Sequence, residues 1–523
     1  MTHREILVVM GALMTGLFLS ALDQTIVSTA LPTIVGELGG LEHLSWVVTS
    51  YLLTSTVSVP LFGKISDLYG RKIVFQAAIV IFLVGSVLAG LSQTMLQLVV
   101  SRGIQGVGGG GLMAMTFTIV GDIVPPRTRG RYTGYLTGVF ATASVLGPLI
   151  GGFFVDNLSW RWVFFVNLPV GAVAMVATAK YLRLPVHRAE RRIDFLGAAL
   201  LVGSVSSLLL VSVWGGQEYE WGSATIIGLG ATGVVLGALF LLQESRAPEP
   251  ILPLRLFREP VFRVSTLLGV FIGVAMFGGF IFLPVFLQVA TGASATRSGL
   301  LTLPLMAGLM TTSIVGGRII SRTGRYKIFP VLGTGLAATG MFLLSTMSVD
   351  TPRVLSGLYM AILGAGLGAT MPVLTLAVQN AAPPQDLGVA TSAVNFFRSL
   401  GGAFGVAVFG AVLNSQLTSQ LSADPATARL DQTTLLGSPE RILALPAAVQ
   451  DVVKAAVSTS VTTVFLVATP VLLVAFALAW TLKELPLRET SNVGMSAGIE
   501  GAEEVGAASG LSGRDPEAVT ARR

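Results

Sequence analysis

The sequence predicts an all-α, polytopic membrane protein of fourteen transmembrane helices, arranged as two six-helix bundles with two helices inserted between them. Three observations carry this reading. Charged residues are 11% of the 523-residue chain, against about 25% in soluble domains. Mean hydropathy is +0.77, and apolar stretches of about 18 residues or more, long enough to cross hydrocarbon as helices, recur along the chain. Third, a charged loop, Gly63-Lys64-Ile65-Ser66-Asp67-Leu68-Tyr69-Gly70-Arg71-Lys72, returns in weaker form as Gly317-Arg318-Ile319-Ile320-Ser321-Arg322-Thr323-Gly324-Arg325-Tyr326. Both glycines, the Ile, the second-position cation and the Arg after the second Gly coincide, while Ser321 answers Asp67. Loop chemistry repeated in two halves of a membrane chain points to two bodies that rock about a central site.

Backbone polar groups in lipid must be satisfied within each segment, so the spans are helices. In order they are Ile6–Val27, Leu44–Gly63, Ile73–Leu91, Leu96–Val120, Tyr132–Val155, Trp160–Leu182, Ile193–Val213, Ala224–Leu242, Val261–Gln288, Ser298–Ile319, Ile328–Met347, Val354–Val378, Gly388–Leu413 and Ser458–Leu482. The first follows a short basic N-terminus but lacks a good cleavage region, so it is expected to stay as a span. With a cytoplasmic N-terminus, about 25 of the 33 Lys and Arg fall in inner segments and about six outside, as the positive-inside rule requires. Both termini are then cytoplasmic. The two loop copies lie eight spans apart, so two extra helices separate the halves. The expected units are an N-terminal bundle (1–182), the inserted pair with its linkers (183–260), a C-terminal bundle (261–484) with an outer loop at 415–456, and a disordered cytoplasmic tail (485–523).

Composition excludes several classes. Cysteine is absent and the three histidines lie far apart, so disulfide, thiolate and metal chemistry have no ligands and no metal site is expected. The pI near 9.7 reflects basic inner loops rather than nucleic-acid binding. The glycine run Gly108–Gly111 lies in an apolar span and lacks the GxxxxGK[ST] pattern, so it is not a phosphate loop. No triad or paired carboxylates suggest an enzyme.

Three ionisable residues sit inside apolar spans: Asp23, Arg102 and Arg398. Each costs a few kcal/mol or more unless paired or hydrated, which makes function the default reading. Helix rise places Asp23 about 25 Å from the start of its span and Arg102 about 9 Å from the outer end of its own, at similar depth. An Asp–Arg contact is open to them, either as a protonation switch or as a permanent ion pair. Asp67 and Arg71, with Asp122 at the end of the fourth span, form a carboxylate–Arg–carboxylate set suited to a cytoplasmic gate; a solvated charge cluster is the alternative. Glycines at four-residue spacing in the fourth and fifth spans permit close helix approach, and Gly147-Pro148 adds a kink. Trp46, Tyr51, Gln105, Gln288, Asn395 and Arg398 are candidates for a substrate cavity.

These motifs resemble the major facilitator superfamily, in its fourteen-helix drug:proton antiporter branch. Gly63–Lys72 matches G-x-x-x-D-x-x-G-R-K in full. Arg102-Gly103-Ile104-Gln105-Gly106 matches R-x-x-Q-G, and Leu22-Asp23-Gln24-Thr25-Ile26-Val27 resembles the helix-one motif. Gly134, Gly147-Pro148, Gly151 and Gly152 fit the antiporter motif of the fifth helix, with Ala143 where that pattern has Gly. Trp160-Arg161-Trp162, Asn167-Leu168-Pro169 and Leu254-Arg255-Leu256-Phe257 are also similar to the branch. The resemblance implies that Asp23 and Arg102 couple to protons, that Gly63, Asp67, Gly70, Arg71, Lys72 and Asp122 form the gate, and that the fifth-helix glycines govern exchange. It implies a monomer in a bacterial inner membrane that uses the proton gradient and no cofactor. Its partners would be protons, membrane lipid and small lipophilic substrates, expected to be cationic or neutral. Rival expectations are an exporter of one lipid, siderophore or self-made antibiotic, and a transport-dead sensor of the same fold.

Overall fold

The computed structural model describes residues 3–38, 44–182, 194–216, 218–293, 295–422, 427 and 446–490. Fourteen spans among them are long and apolar enough to cross a membrane, the sixth (Trp162–Tyr181) counted together with the short turn that precedes its main helix. They are α1 (His3–Leu38), α2 (Leu44–Tyr69), α3 (Arg71–Gly90), α4 (Met95–Ile123), α5 (Pro126–Asn157), α6 (Asn167–Tyr181), α7 (Phe195–Trp214), α8 (Ala224–Arg246), α9 (Pro260–Val285), α10 (Leu303–Thr323), α11 (Ile328–Ser345), α12 (Arg353–Ala381), α13 (Leu387–Ser422) and α14 (Ala447–Trp480).

Several boundaries differ from the hydropathy reading, each for a local reason. The sixth span is broken: one turn, Trp162–Phe165, precedes α6. α9 gives way after Pro284 to a π turn, Phe286–Ala290, that contains Gln288. α13 and α14 continue as helix into 415–456, the segment expected to be an outer loop, because helical hydrogen bonding outlasts the apolar stretch at both ends. The expected disordered tail lies outside the described residues beyond position 490.

Within the halves, α4 packs on α2 and α3, and α12 packs on α10 and α11 in the same manner. Glycines make this possible and repeat in register. Gly106 and Gly110 let α4 lie on the backbone of α2 at Tyr51 and Ser55, while Gly108 meets the α3 backbone at Phe82. Gly364 and Gly368 do the same on α10 at Leu305 and Leu309, and Gly366 on α11 at Ala337. This register puts Met360 in the place of Arg102 and Leu363 in the place of Gln105, so these two polar residues of α4 have no polar counterpart in the second half.

The bundles meet through α2 with α13 and α5 with α10. The inserted pair stands beside that seam: α7 packs on α8, α2 and α13, and Trp46 of α2 packs against Trp214 of α7 with centroids 4.7 Å apart and ring planes tilted by 53°. Large apolar side chains such as Leu96, Phe195, Val234 and Val354 stay exposed, which is the surface a bilayer covers.

The packing generates a test. A Cβ at Gly106 or Gly364 would overlap main-chain carbonyls of the neighbouring helix, whereas Gly103 has room for one. Gly106→Ala and Gly364→Ala should each lose about 1–3 kcal/mol, read as a lower Tm in detergent, and Gly103→Ala should melt like the parent.

Candidate functional site

One end of the molecule is closed by the charged loop. Gly70 holds φ 91° and ψ 145°, a region essentially reserved for glycine, and so turns the chain between α2 and α3 in one residue. Arg71 is thereby returned over Asp67 (Nη1 to Oδ1, 2.5 Å) and reaches Asp122 near the end of α4 with Nε at 2.7 Å. The second oxygen of Asp67 accepts the Val389 backbone N–H at 3.1 Å. Val389 is in the first turn of α13, where unpaired N–H groups and the helix dipole favour an anion. The carboxylate therefore joins the two bundles. Gly63 supports this by lying against Ser392 and Gly388 of α13, and Lys72 donates to the Ala179 carbonyl at 2.6 Å near the end of α6.

The second loop copy keeps the shape but not the charge. Gly324 ends α10 at φ 74°, and Gly317 lies against Gly130 of α5, its Cα 2.7 Å from where a Gly130 Cβ would sit. Ser321, however, donates to the Gly317 carbonyl of its own helix at 2.8 Å and does not cross the seam.

Further contacts close the same end. Buried Arg129 of α5 donates to the Gly121 and Val124 carbonyls and to Gln379 Oε1 of α12 at 2.8 Å. Gln379 in turn donates to the Phe117 carbonyl and to Thr391 Oγ1, each at 3.0 Å. The linker after α8 is tied to both bundles: Glu249 pairs with Lys64 of α2 at 2.9 Å, and Arg255 pairs with Asp386, just before α13, also at 2.9 Å.

Asp23 and Arg102 do meet, inside the N-terminal bundle. Arg102 Nη1 lies 2.5 Å from Asp23 Oδ2, and both side chains are almost wholly buried. Gln105 Nε2 and Asn167 Nδ2 donate to Asp23 Oδ1 at 2.8 and 3.0 Å. Ser86 Oγ accepts from both amides and donates to the Phe164 carbonyl. The Tyr51 ring lies under the guanidinium, 4.3 Å from its centroid, and Arg102 Nε is buried with no hydrogen-bond partner among the described residues. Five helices, α1, α2, α3, α4 and α6, thus surround one ion pair. A second pair, Arg161 with Glu37, lies at the far end of the same bundle at 2.5 Å; Arg161, then the Trp160 indole, hold the Glu37 carboxyl below its usual range.

Between the bundles lies a cavity of about 1790 Å³. It extends from Phe117, Thr133 and Thr375 at mid-bundle to Gly215, Gly292, Thr418 and Lys454 at the end away from Asp67. Gln24 and Thr25, which follow Asp23 in sequence, line it, as do Pro148, Gln288 and Arg398. The other cavity candidates lie elsewhere. Tyr51 and Gln105 belong to the Asp23 cluster, Trp46 packs on Trp214, and Asn395 stands behind the wall, accepting from Arg398 Nη2 at 2.6 Å and donating to the Thr391 carbonyl at 3.0 Å. The fifth-helix glycines divide: Gly134 faces Ile314 of α10, Gly147 and Gly151 take α5 onto Thr25, Ile26 and Thr29 of α1, and Gly152 faces open space. Thr25 Oγ1 also donates to the Ala143 carbonyl at 3.0 Å.

Sequence reasoning did not assign Ser86, Arg129, Gln379, Glu249 or Asp386. A second repeat would have exposed part of this set: Val120 to Gly130 and Val378 to Gly388 share Val, Pro-Pro and Gly in register.

Fourteen helices in two pseudo-equivalent bundles, with a cavity on the seam sealed at one end, define a membrane carrier. The family model described as Major Facilitator Superfamily matches residues 13–406, and the chain belongs to that family. It is 42% identical over 421 residues to the multidrug transporter protein MdtP of Bacillus subtilis, covering 80% of this chain and 77% of that one. Identity is 36% over 471 residues to Multidrug resistance protein 3 of the same organism, covering 88% and 92%. An uncharacterized MFS-type transporter of Mycobacterium tuberculosis is 44% identical over 482 residues, covering 92% and 70%. Among solved structures, the proton:xylose symporter XylE superposes with a TM-score of 0.62 at 15% identity, covering 95% of this chain and 99% of that one, which establishes the fold. The protein is a transporter, not an enzyme.

Removing the Asp67 charge should loosen the closed end. The chain has no cysteine, so spin labels placed at Tyr69 and Gln385, both exposed, report that end alone. Asp67→Asn should add a longer-distance population to the label pair; an unchanged distribution would contradict the assigned role.

Proposed function

We propose that the chain is a proton-coupled antiporter that exports lipophilic or amphipathic compounds from a bacterial cell across its inner membrane by alternating access. The Asp67 end faces the cytoplasm, as the distribution of Lys and Arg favours, and both termini are cytoplasmic. The observation that carries this reading is the pairing of a closed Asp67 end with a cavity reaching the opposite end. It is the outward-open half of a transport cycle. The relatives with multidrug names support the substrate breadth.

In this cycle Asp23 is the proton carrier. Its carboxylate is paired with Arg102 in the outward-open state, and Thr25, two residues on, links α1 to α5 beside the cavity wall. Substrate or bundle movement that draws Arg102 away leaves a buried carboxylate without its counter-ion, and a proton takes the place of that cation. Gly147 and Gly151, lacking side chains of their own, let α5 lie close on Thr25, Ile26 and Thr29 of α1, the contact on which such a shift can run.

The dense cradle of Gln105, Asn167 and Ser86 supports a second reading, in which the pair is a fixed structural node. Breaking a buried pair from one side costs about 3–5 kcal/mol, so the two readings part under Asp23→Asn. The antiport reading expects pH-driven dye export from proteoliposomes to fall to that of empty vesicles, while gradient-free substrate exchange persists. Loss of both together with a collapsed melt supports the structural node. Normal pH-driven export by the variant removes Asp23 from the mechanism.

A further inference from the structure

We infer that the central cavity selects amphiphiles carrying an anionic head group (carboxylate, sulfonate or phosphate) and that Arg398 is the residue that receives it. The inference deepens the export reading by naming a substrate class, and it departs from the cationic class expected from the sequence.

The charge of the cavity wall is one-sided. Among the described residues that line it, the charged ones are Arg398 and Lys454, and no Asp or Glu is present. Arg398 is 5% exposed, and among the described residues no carboxylate pairs with it; its one side-chain hydrogen bond is to Asn395 Oδ1 at 2.6 Å. Asn395 is itself held by the Thr391 carbonyl at 3.0 Å, so the guanidinium is anchored on one nitrogen while the group as a whole borders the cavity. A buried cation without a counter-ion is costly. An anion entering the cavity supplies that counter-ion, and the planar fork of Arg matches carboxylate, sulfonate and phosphate oxygens two at a time. The Asp23–Arg102 pair shows the other solution to the same cost, a protein carboxylate, and that solution is absent at Arg398.

The remainder of the wall suits an apolar body. Met276, Phe280, Leu309, Met306 and Met371 line it, and flexible thioethers adapt to varied shapes. The volume of about 1790 Å³ exceeds the usual range of about 300–1,000 Å³ for a small-molecule site, leaving room for a hydrocarbon tail. Lys454, near the open end, adds a second positive charge on the path inward. Two like charges between low-dielectric walls raise the local potential, which attracts anions and repels cations.

The test is equilibrium binding to the purified protein in neutral detergent at pH 7.5, with a dansyl-labelled long-chain carboxylic acid, its methyl ester and the matching trimethylammonium compound as probes. The acid should bind at least about tenfold more tightly than the ester, ~1.4 kcal/mol, and the ammonium compound most weakly. Arg398→Gln should bring acid and ester together, and Arg398→Lys should keep part of the difference. Equal binding of the three probes by the parent, or preference for the ammonium compound, overturns the inference. So does an intact acid preference in Arg398→Gln. Should that variant melt early, the parent's probe ranking and Arg398→Lys decide the matter. Binding requires no proton gradient, so failure here leaves the antiport reading standing. Failure of pH-driven flux with the acid preference intact sinks antiport alone.

Discussion

A carboxylate laid against the first turn of a helix in the other bundle is the joint on which this molecule depends. Asp67 accepts the Val389 N–H across the seam while Arg71 holds its other oxygen and reaches on to Asp122. Together with the Arg129–Gln379 contacts it closes one end of the cavity. The interaction suits a reversible seal because its parts are strong only while dry. Charge-assisted hydrogen bonds gain from low dielectric, and water entering the seam would replace each of them. Gly63, Gly130, Gly317 and Gly388 bring the backbones close enough for the seal to stay dry.

Electrostatics divides the two halves further. The first bundle holds a fully compensated pair, Asp23 with Arg102, shut away from the cavity among Gln105, Asn167 and Ser86. The second bundle holds Arg398, which faces the cavity and has no carboxylate partner among the described residues. Shared glycine contacts show that α4 and α12 descend on their neighbours in the same way, yet Met360 and Leu363 stand where Arg102 and Gln105 do. Equal frames therefore carry unequal chemistry, and the asymmetry allows coupling and recognition to be served by different bundles. The linker after α8, tied to Lys64 and Asp386, contacts both halves, so the inserted helices are attached to both bundles at the closed end.

The fold was legible because lipid imposes a length and a polarity on every span, and all fourteen are evident in the hydropathy. Membrane spans are apolar on every side, though, so the sequence does not say which face a residue takes. That is why Tyr51, Gln105 and Asn395 were grouped with Gln288 and Arg398 as cavity candidates, and only the latter two line it. Asp23 and Arg102 were legible as a pair through charge and depth. Asn167 and Ser86 were not assigned, since a lone amide or hydroxyl carries no cost large enough to mark it. Arg129 and Gln379 are 250 positions apart, and their contact exists only once the bundles close.

Proton release on substrate binding tests the account most directly. In an antiporter, cargo and proton compete for one occupied state, by reciprocal linkage of their binding free energies. Mixing the purified protein with a transported compound in weakly buffered detergent should acidify the medium in proportion to occupancy, and Asp23→Asn should abolish the signal. Saturating binding with no change in bound protons from pH 5 to pH 9 would contradict proton coupling through Asp23.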